Sequence, residues 1–289
     1  MEGRVTAVHS SYCLVSTGDK TLRCAFRGRL RHGSVQVIPG DLVRLSQTGD
    51  ENLIEEVLPR KNFLIRPQVA NIDQVVVVTA VTRPPIDRVY LDRVLVHLES
   101  RDIEAVICLN KKDLEDPKEM QRLASVYEKA GYPVAITSAV TGDGLSDLVG
   151  LMGGKNVVLA GASGVGKSKI ISALMDLEID TGGLSKLRRG RHTTKGVTLY
   201  KIGRSAYLAD TPGFSRLDII DCEPFDLAYY YREMTELVPF CHFPRCLHKT
   251  EEQCAVRFAL DEGKIAPERY ETYLALLDEC LEKEKRRYD

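Results

Sequence analysis

Three groups of residues in this sequence have the types and spacing to do chemistry. The first lies in Asn156 to Lys169, NVVLAGASGVGKSK, where a short apolar run leads into GxxxxGK[ST], the phosphate-binding loop pattern. Gly161, Gly164 and Gly166 let the backbone wrap a polyphosphate with its N–H groups inward, in conformations that side chains obstruct. Ala162, Ser163 and Val165 complete the turn. Lys167 neutralises the β and γ oxygens and Ser168 offers a hydroxyl to Mg²⁺, while the helix start that follows adds partial positive charge.

The second group reads a base. The apolar run IEAVICLN ends in Asn110-Lys111-Lys112-Asp113, the NKxD pattern. A carboxylate at Asp113 accepts from both the N1–H and the exocyclic amine of guanine, a donor pair that adenine lacks. Asn110 and Lys111 brace the base and the phosphate loop. YPVAITSAV then delivers Thr137-Ser138-Ala139, whose backbone suits the O6 edge of guanine, and AYLADTPGF ends in DxxG. There Asp210 is placed to hold the Mg²⁺ shell and the Gly213 N–H to sense a γ-phosphate. The next residue is Phe214, where Ras-like GTPases place a water-orienting glutamine.

The third group is Cys241, Cys246, His248 and Cys254, spaced C-x5-C-x-H-x5-C. Three thiolates and an imidazole complete a tetrahedron around Zn²⁺ with no open position, so the spacing predicts a structural metal site. His242 competes with His248 as the nitrogen ligand.

These residues need elements to hold them. Residues 1 to about 60 alternate β-rich runs with turn signals such as Pro39-Gly40-Asp41, which suggests a small barrel of four or five strands. Between Lys20 and Arg44, Lys20, Arg23, Arg27, Arg29, Arg31 and Arg44 stand against a single acid, Asp41. Such a stripe tracks a phosphate backbone, with Tyr12 and Phe26 as stacking surfaces, or is a solvated face over core aromatics. PRKNFLIRP, from Pro59 to Pro67, reads as a linker. IDQVVVVTAV and IEAVICLN read as strands buried on both faces, separated by a helical stripe of Val89, Leu91, Val94, Leu95 and Leu98. A parallel α/β sheet follows from that order. Between Gly182 and Ala209 lie seven basic residues and no acid, in the place of a switch I loop. Past Pro267, Tyr270, Leu274, Leu277 and Leu281 recur at helical spacing as core.

Ordinary GTPases run from phosphate loop through DxxG to NKxD. Here NKKD and TSA come first, so the expected domain is circularly permuted, which close-lying termini permit. The 40 basic and 41 acidic residues leave a net charge of -1, so any nucleic-acid contact must come from local patches. No apolar run reaches membrane-spanning length and the start lacks a leader pattern, so a cytoplasmic protein is expected. Eight cysteines, three of them clustered with a histidine, suit a reducing compartment with one metal site.

Over essentially its whole length the chain resembles the bacterial ribosome small-subunit-dependent GTPase A family (RsgA, also called YjeQ or YloQ). The resemblance rests on Gly3, Val5 and Tyr12, PRKNFLIRP, NIDQVVVV, NKKDL, GASGVGKS, GRHTT at 190 to 194, DTPGF and the cysteine–histidine spacing. It implies an OB-fold RNA-binding barrel over 1–62, a permuted GTPase domain over 68–220 and a helical zinc-binding domain over 221–289, joined by linkers near 60 and 220 that permit several arrangements. It also implies a monomer acting late in small ribosomal subunit maturation, contacting rRNA, with GTP hydrolysis stimulated by the subunit. By that resemblance Gly161 to Lys169 bind phosphates, Ser168 and Thr194 bind Mg²⁺, and Asn110, Lys111, Lys112, Asp113, Ser138 and Ala139 bind guanine. His192 becomes the catalytic residue that orients water in place of the missing glutamine. Lys169 and Lys195 stand where the family more often has small hydroxyl residues; at 169 the backbone N–H makes the phosphate contact. Two rivals remain: a non-hydrolysing factor that senses GTP or GDP, which Phe214 favours, and a P-loop ATPase or kinase, which NKKD disfavours.

Overall fold

The structure is a computed structural model, and it describes residues 1–18, 20–27, 36–49, 51–65, 67–180, 197–202, 206–210 and 217–288 of the 289-residue chain. Five strands at the amino end, β1 (Glu2–Val8), β2 (Cys13–Ser16), β3 (Thr21–Phe26), β4 (Leu42–Thr48) and β5 (Glu51–Val57), close into a barrel of order β1-β2-β3-β5-β4. Alternation along each strand sends Val5, Cys13, Val15, Cys24, Val43, Leu45 and Ile54 inward, and with Val37 they form the barrel core. Asp41, at the foot of β4, is fully buried. Its carboxylate accepts from the Ile38 N–H at 2.9 Å and from Arg60 Nε at 2.7 Å.

That arginine begins the stretch expected to be a linker, and the structure differs. β6 (Phe63–Ile65) pairs antiparallel with β7 (Gln68–Ala70); the Asn71 N–H donates to the Asn62 carbonyl, the Asn62 side chain bonds the N–H and carbonyl of Ile72, and Asn71 Oδ1 accepts from the Lys61 N–H. Proline and polarity read as loose chain; long-range polar partners that sequence does not display make it ordered.

A six-stranded sheet follows, built from β8 (Gln74–Thr79), β9 (Glu104–Leu109), β10 (Val134–Ile136), β11 (Asn156–Ala160), β12 (Thr198–Ile202) and β13 (Ala206–Asp210), in the order β10-β9-β8-β11-β13-β12. Near-continuous apolar runs make β8, β9 and β11 its buried strands. Four helices accompany it: α1 (Arg88–Glu99), α2 (Pro117–Lys129), α3 (Leu145–Met152) and α4 (Lys167–Asp180). Asp87 caps α1 by accepting from the Tyr90 N–H, and Asp116 caps α2 with Pro117 in its first turn. The carboxyl end carries α5 (Arg232–Thr235), α6 (Ala255–Asp261) and α7 (Pro267–Tyr288). Among the described residues no helix is long and apolar enough to cross a membrane.

Contacts group the chain into two compact units, and β8 passes from one to the other. One comprises Met1–Val76, Met152–Ala160 and Lys167–Phe214. In it the barrel meets the β12–β13 hairpin: Tyr207 donates its hydroxyl to Ser16 Oγ at 2.9 Å, and Lys201 donates to the Gly18 carbonyl at 2.6 Å. The other unit comprises Val77–Leu151, Gly161–Gly166 and Ser215–Asp289. Here the carboxyl-terminal helices pack on α1 and α2 around a buried charge. Arg269 pairs with Asp92 at 2.5 Å and Glu233 at 2.6 Å, roofed by the rings of Tyr127, Tyr132 and Tyr231. Arg93 with Glu279 and Arg232 with Glu99, each at 2.7 Å, extend the contact.

Candidate nucleotide site and metal centre

β11 ends at Ala160 and the chain turns through residues 161–166 into α4. Gly161, Gly164 and Gly166 have φ of 139°, 82° and 105°, so each sits where a side chain is strained. At two of them space also forbids one. A Cβ on Gly161 would stand 2.1 Å from the Val78 carbonyl oxygen, and one on Gly166 would stand 2.3 Å from Asn110 Nδ2.

Asn110 is the hub of this arrangement. Buried at the end of β9, it donates from Nδ2 to the Val165 carbonyl at 2.9 Å, while its Oδ1 accepts from Thr137 Oγ1 at 3.2 Å and the Ala139 N–H at 3.1 Å. One amide thus ties NKKD, TSA and the phosphate loop together. Lys111, with φ 69°, donates Nζ to the Gly164 carbonyl at 2.7 Å and also to the Arg83 carbonyl. A non-glycine residue in the left-handed region is held there by its surroundings, and here Nζ binds two carbonyls. Asp113 Oδ1 accepts from Ser138 Oγ at 2.6 Å, which fixes its carboxylate; Lys112 pairs with Asp143 at 3.8 Å on the outer side.

Lys167, Ser168 and Lys169 form the first turn of α4, with Ser168 and Lys169 exposed. Asp210 is the last residue of β13, opposite Thr198 on β12. His192, Thr194, Lys195, Gly213 and Phe214 lie outside the described residues, as do Arg29 and Arg31 of the basic stripe. The rest of that stripe is partly neutralised. Arg27 pairs with Glu55, and Arg44 with Glu56 at 2.5 Å. Phe26 packs against the barrel core, and Tyr12 is stacked by His9 at 4.4 Å with the Arg23 guanidinium 4.1 Å from its centroid. Phe26 is therefore packed on the core, and among the described residues Lys20 and Arg23 of the stripe form no ion pair, Arg23 lying over the Tyr12 ring.

One contributor escaped the sequence reading. Residues 81–86 brace the site through the Arg83 carbonyl, and Glu115 holds them by accepting from Thr82 N at 2.9 Å and Thr82 Oγ1 at 2.8 Å. The only sequence signal was the Pro84-Pro85 pair, which marks a turn and not its partner.

In the carboxyl-terminal segment, Cys241, Cys246, His248 and Cys254 bring their donor atoms within 4.8 Å of one another. The Cys241 and Cys254 sulfurs lie 3.9 Å apart, close to the ~3.8 Å edge of a tetrahedron with ~2.3 Å Zn–S bonds. His248 presents Nδ1 to them, 3.3 Å from Cys254 Sγ and 3.5 Å from Cys241 Sγ. Its backbone at φ 56° and a carbonyl bond from Tyr270 Oη at 2.6 Å set that orientation. His242 is exposed against Phe243 and stands outside the cluster, so the choice between the two histidines falls to His248. Burial pushes the Cys246 thiol up to about 12, so a thiolate in this pocket needs a cation beside it. The donor set, spacing and burial fit a structural zinc.

A base-reading loop latched to a phosphate loop that follows it in sequence is the arrangement of a circularly permuted P-loop GTPase. Whole-chain comparisons narrow that class. The family model for the RsgA GTPase matches residues 57–220, and that for the RsgA N-terminal domain matches residues 2–53. The chain belongs to the RsgA GTPase family. A relative from Caldanaerobacter subterraneus subsp. tengcongensis, named small ribosomal subunit biogenesis GTPase RsgA, is 43% identical with 100% of this chain and 98% of the relative covered. The Bacillus cereus protein of the same name is 38% identical over 99% of each. Among solved structures, YjeQ from Thermotoga maritima superposes with a TM-score of 0.82 at 35% identity, covering 97% of this chain and 98% of that one. YloQ, described as a circularly permuted GTPase, gives 0.79 at 33% identity, covering 98% and 95%.

Proposed function

We propose that this protein is a GTP hydrolase that binds the small ribosomal subunit and turns GTP over to GDP and phosphate during late maturation of that subunit. The observation that carries the reading is the Asn110 amide, which couples the guanine-type loop to the phosphate loop at Val165. The names borne by relatives of the same length supply the ribosomal context.

In this reading Asp113, held by Ser138, presents its carboxylate to N1–H and the exocyclic amine of guanine. Backbone N–H groups of 161–169 and Lys167 Nζ take the phosphates. Ser168, Thr194 and Asp210 hold Mg²⁺, which when bound neutralises charge developing between the β and γ phosphates. His192 orients the attacking water in the subunit-bound state. The barrel at 1–62 and the zinc domain at 221–289 grip rRNA, the GTPase domain at 68–220 turns over the nucleotide, and the protein works as a cytoplasmic monomer.

The test is hydrolysis at low salt with and without purified small subunits, with large subunits and ATP as controls. Stimulation by small subunits and GTP alone is expected. GTP binding without stimulated turnover would replace this reading with the sensing factor, for which Phe214 in the glutamine position is the specific support. His192→Ala should abolish the stimulation at unchanged nucleotide affinity; retained stimulation would end its role as the water-orienting group.

A further inference from the structure

Cys222 belongs to the segment that leaves the sheet for the carboxyl-terminal helices, nine residues after Gly213 of DxxG. Its neighbours on both sides are pinned to α7. Asp221 pairs with Lys283 at 3.1 Å and with Arg287, Glu223 approaches Arg287 at 3.9 Å, and Lys283 also reaches the Ile219 carbonyl at 3.5 Å. Lys283 and Arg287 are three and seven residues beyond Cys280, hence on the same face of α7. Cys222 packs there against the core cluster that contains Cys280. We propose that Cys222 and Cys280 form a redox-convertible dithiol, which a hydroperoxide closes to a disulfide that tethers the segment after DxxG to α7.

The other cysteines sharpen the contrast. Cys13, Cys24 and Cys108 are fully buried, and burial pushes the Cys13 and Cys108 thiols up to about 12. Cys241, Cys246 and Cys254 belong to the metal cluster. Cys222 is half-buried and packs against the cluster that holds Cys280, and the Cys280 thiol with the Lys283 ammonium nearby draws its pKa down. Cys280 is held up in turn as the protonated partner. A half-buried thiol with a lowered pKa is the one that reacts, and a buried thiol touching it is the one that resolves.

The steps balance. The Cys222 thiolate attacks the hydroperoxide, the O–O bond breaks, and a sulfenic acid and an alkoxide or hydroxide result. Cys280 sulfur then displaces the sulfenic hydroxyl, which leaves as water with the Cys280 proton. A cellular dithiol returns two electrons and two protons to reopen the bond. The disulfide itself does not depend on the GTPase reading; its consequence for turnover does.

The experiment uses the zinc-loaded full chain, treated with stoichiometric hydrogen peroxide, blocked with an alkylating agent and digested with trypsin. Mass spectrometry should find peptide 217–232 joined to peptide 270–283, reversed by dithiothreitol and absent from Cys222→Ser and Cys280→Ser. Separate alkylation of both thiols, or Cys222 ending as sulfinic acid with no linked peptide, would overturn the proposal. The linked protein should show subunit-stimulated hydrolysis reduced about fivefold, restored by dithiothreitol and unaffected in peroxide-treated Cys222→Ser. Unchanged turnover in linked protein removes the tether's hold on the switch. Absent stimulation in the reduced protein indicts the GTPase reading and leaves the peptide result standing.

Discussion

At the residue scale, the site depends on a few atoms with no substitutes. Asp113 is held by one hydroxyl and, in the proposed guanine site, presents its carboxylate to the base, so Asp113→Asn keeps the shape and inverts half of the donor–acceptor code. GTP affinity should fall by about 10–100-fold and xanthosine triphosphate affinity should rise, read by titration calorimetry with both nucleotides. Gly166→Ala tests the loop by another route. Its Cβ would meet Asn110 Nδ2 at 2.3 Å, breaking the Val165 contact as well as straining φ, so nucleotide binding should drop by about 100-fold or more while the far-UV spectrum is kept. Both residues were legible from motif alone. The Asn110 amide was legible as a brace between base and phosphate loop, but not its particular partners Val165, Thr137 and Ala139.

At the element scale, the metal knuckle is a short stretch with little regular structure of its own. Its turns are made by Arg245, His248 and Gln253 in the left-handed region and by the Glu251 carboxylate, which accepts from the N–H groups of Leu247, Lys249 and Thr250. Such a loop needs a cation to offset the entropy of ordering it. Elemental analysis should find about one zinc per chain, His248→Ala should lose it, and His242→Ala should keep it. Chelation should lower Tm by roughly 10 °C, seen by calorimetry. The spacing of cysteines predicted the cluster because ligand number and type are sequence properties. It left two histidines open because only backbone direction decides which imidazole turns inward.

At the scale of the whole molecule, the largest surprise is charge in a core. The α1 stripe predicted Val89, Leu91, Val94, Leu95 and Leu98 inside; all but the half-buried Val89 are, yet Asp92 is buried among them. Burial pushes its carboxyl pKa up, against the pull of Arg269 and the Thr272 hydroxyl. Arg269 answers both Asp92 and Glu233, so Arg269→Met leaves two carboxylates buried without a countercharge. A loss of about 3–5 kcal/mol is expected in denaturant unfolding, with Asp92→Asn in the Arg269→Met background recovering part of it. A double-mutant cycle that proves additive would show that the pair does not couple.

What the sequence determined by itself was whatever chemistry and local period dictate. Glycines at the phosphate loop, the NKKD carboxylate, four metal donors, an alternating barrel and continuous buried strands all declare themselves through spacing along the chain. The reversed motif order was equally plain, and with it the permuted domain. Only the tertiary structure decided which distant groups meet. It turned Pro59–Pro67 from linker to hairpin through Arg60 and Asp41, neutralised much of the barrel's basic stripe with Glu55 and Glu56, and buried Asp92 against Arg269 from the far end of the chain. Polar partners separated by tens to hundreds of residues leave no periodic trace, because their pairing energy depends on burial and geometry that exist only after the chain has folded.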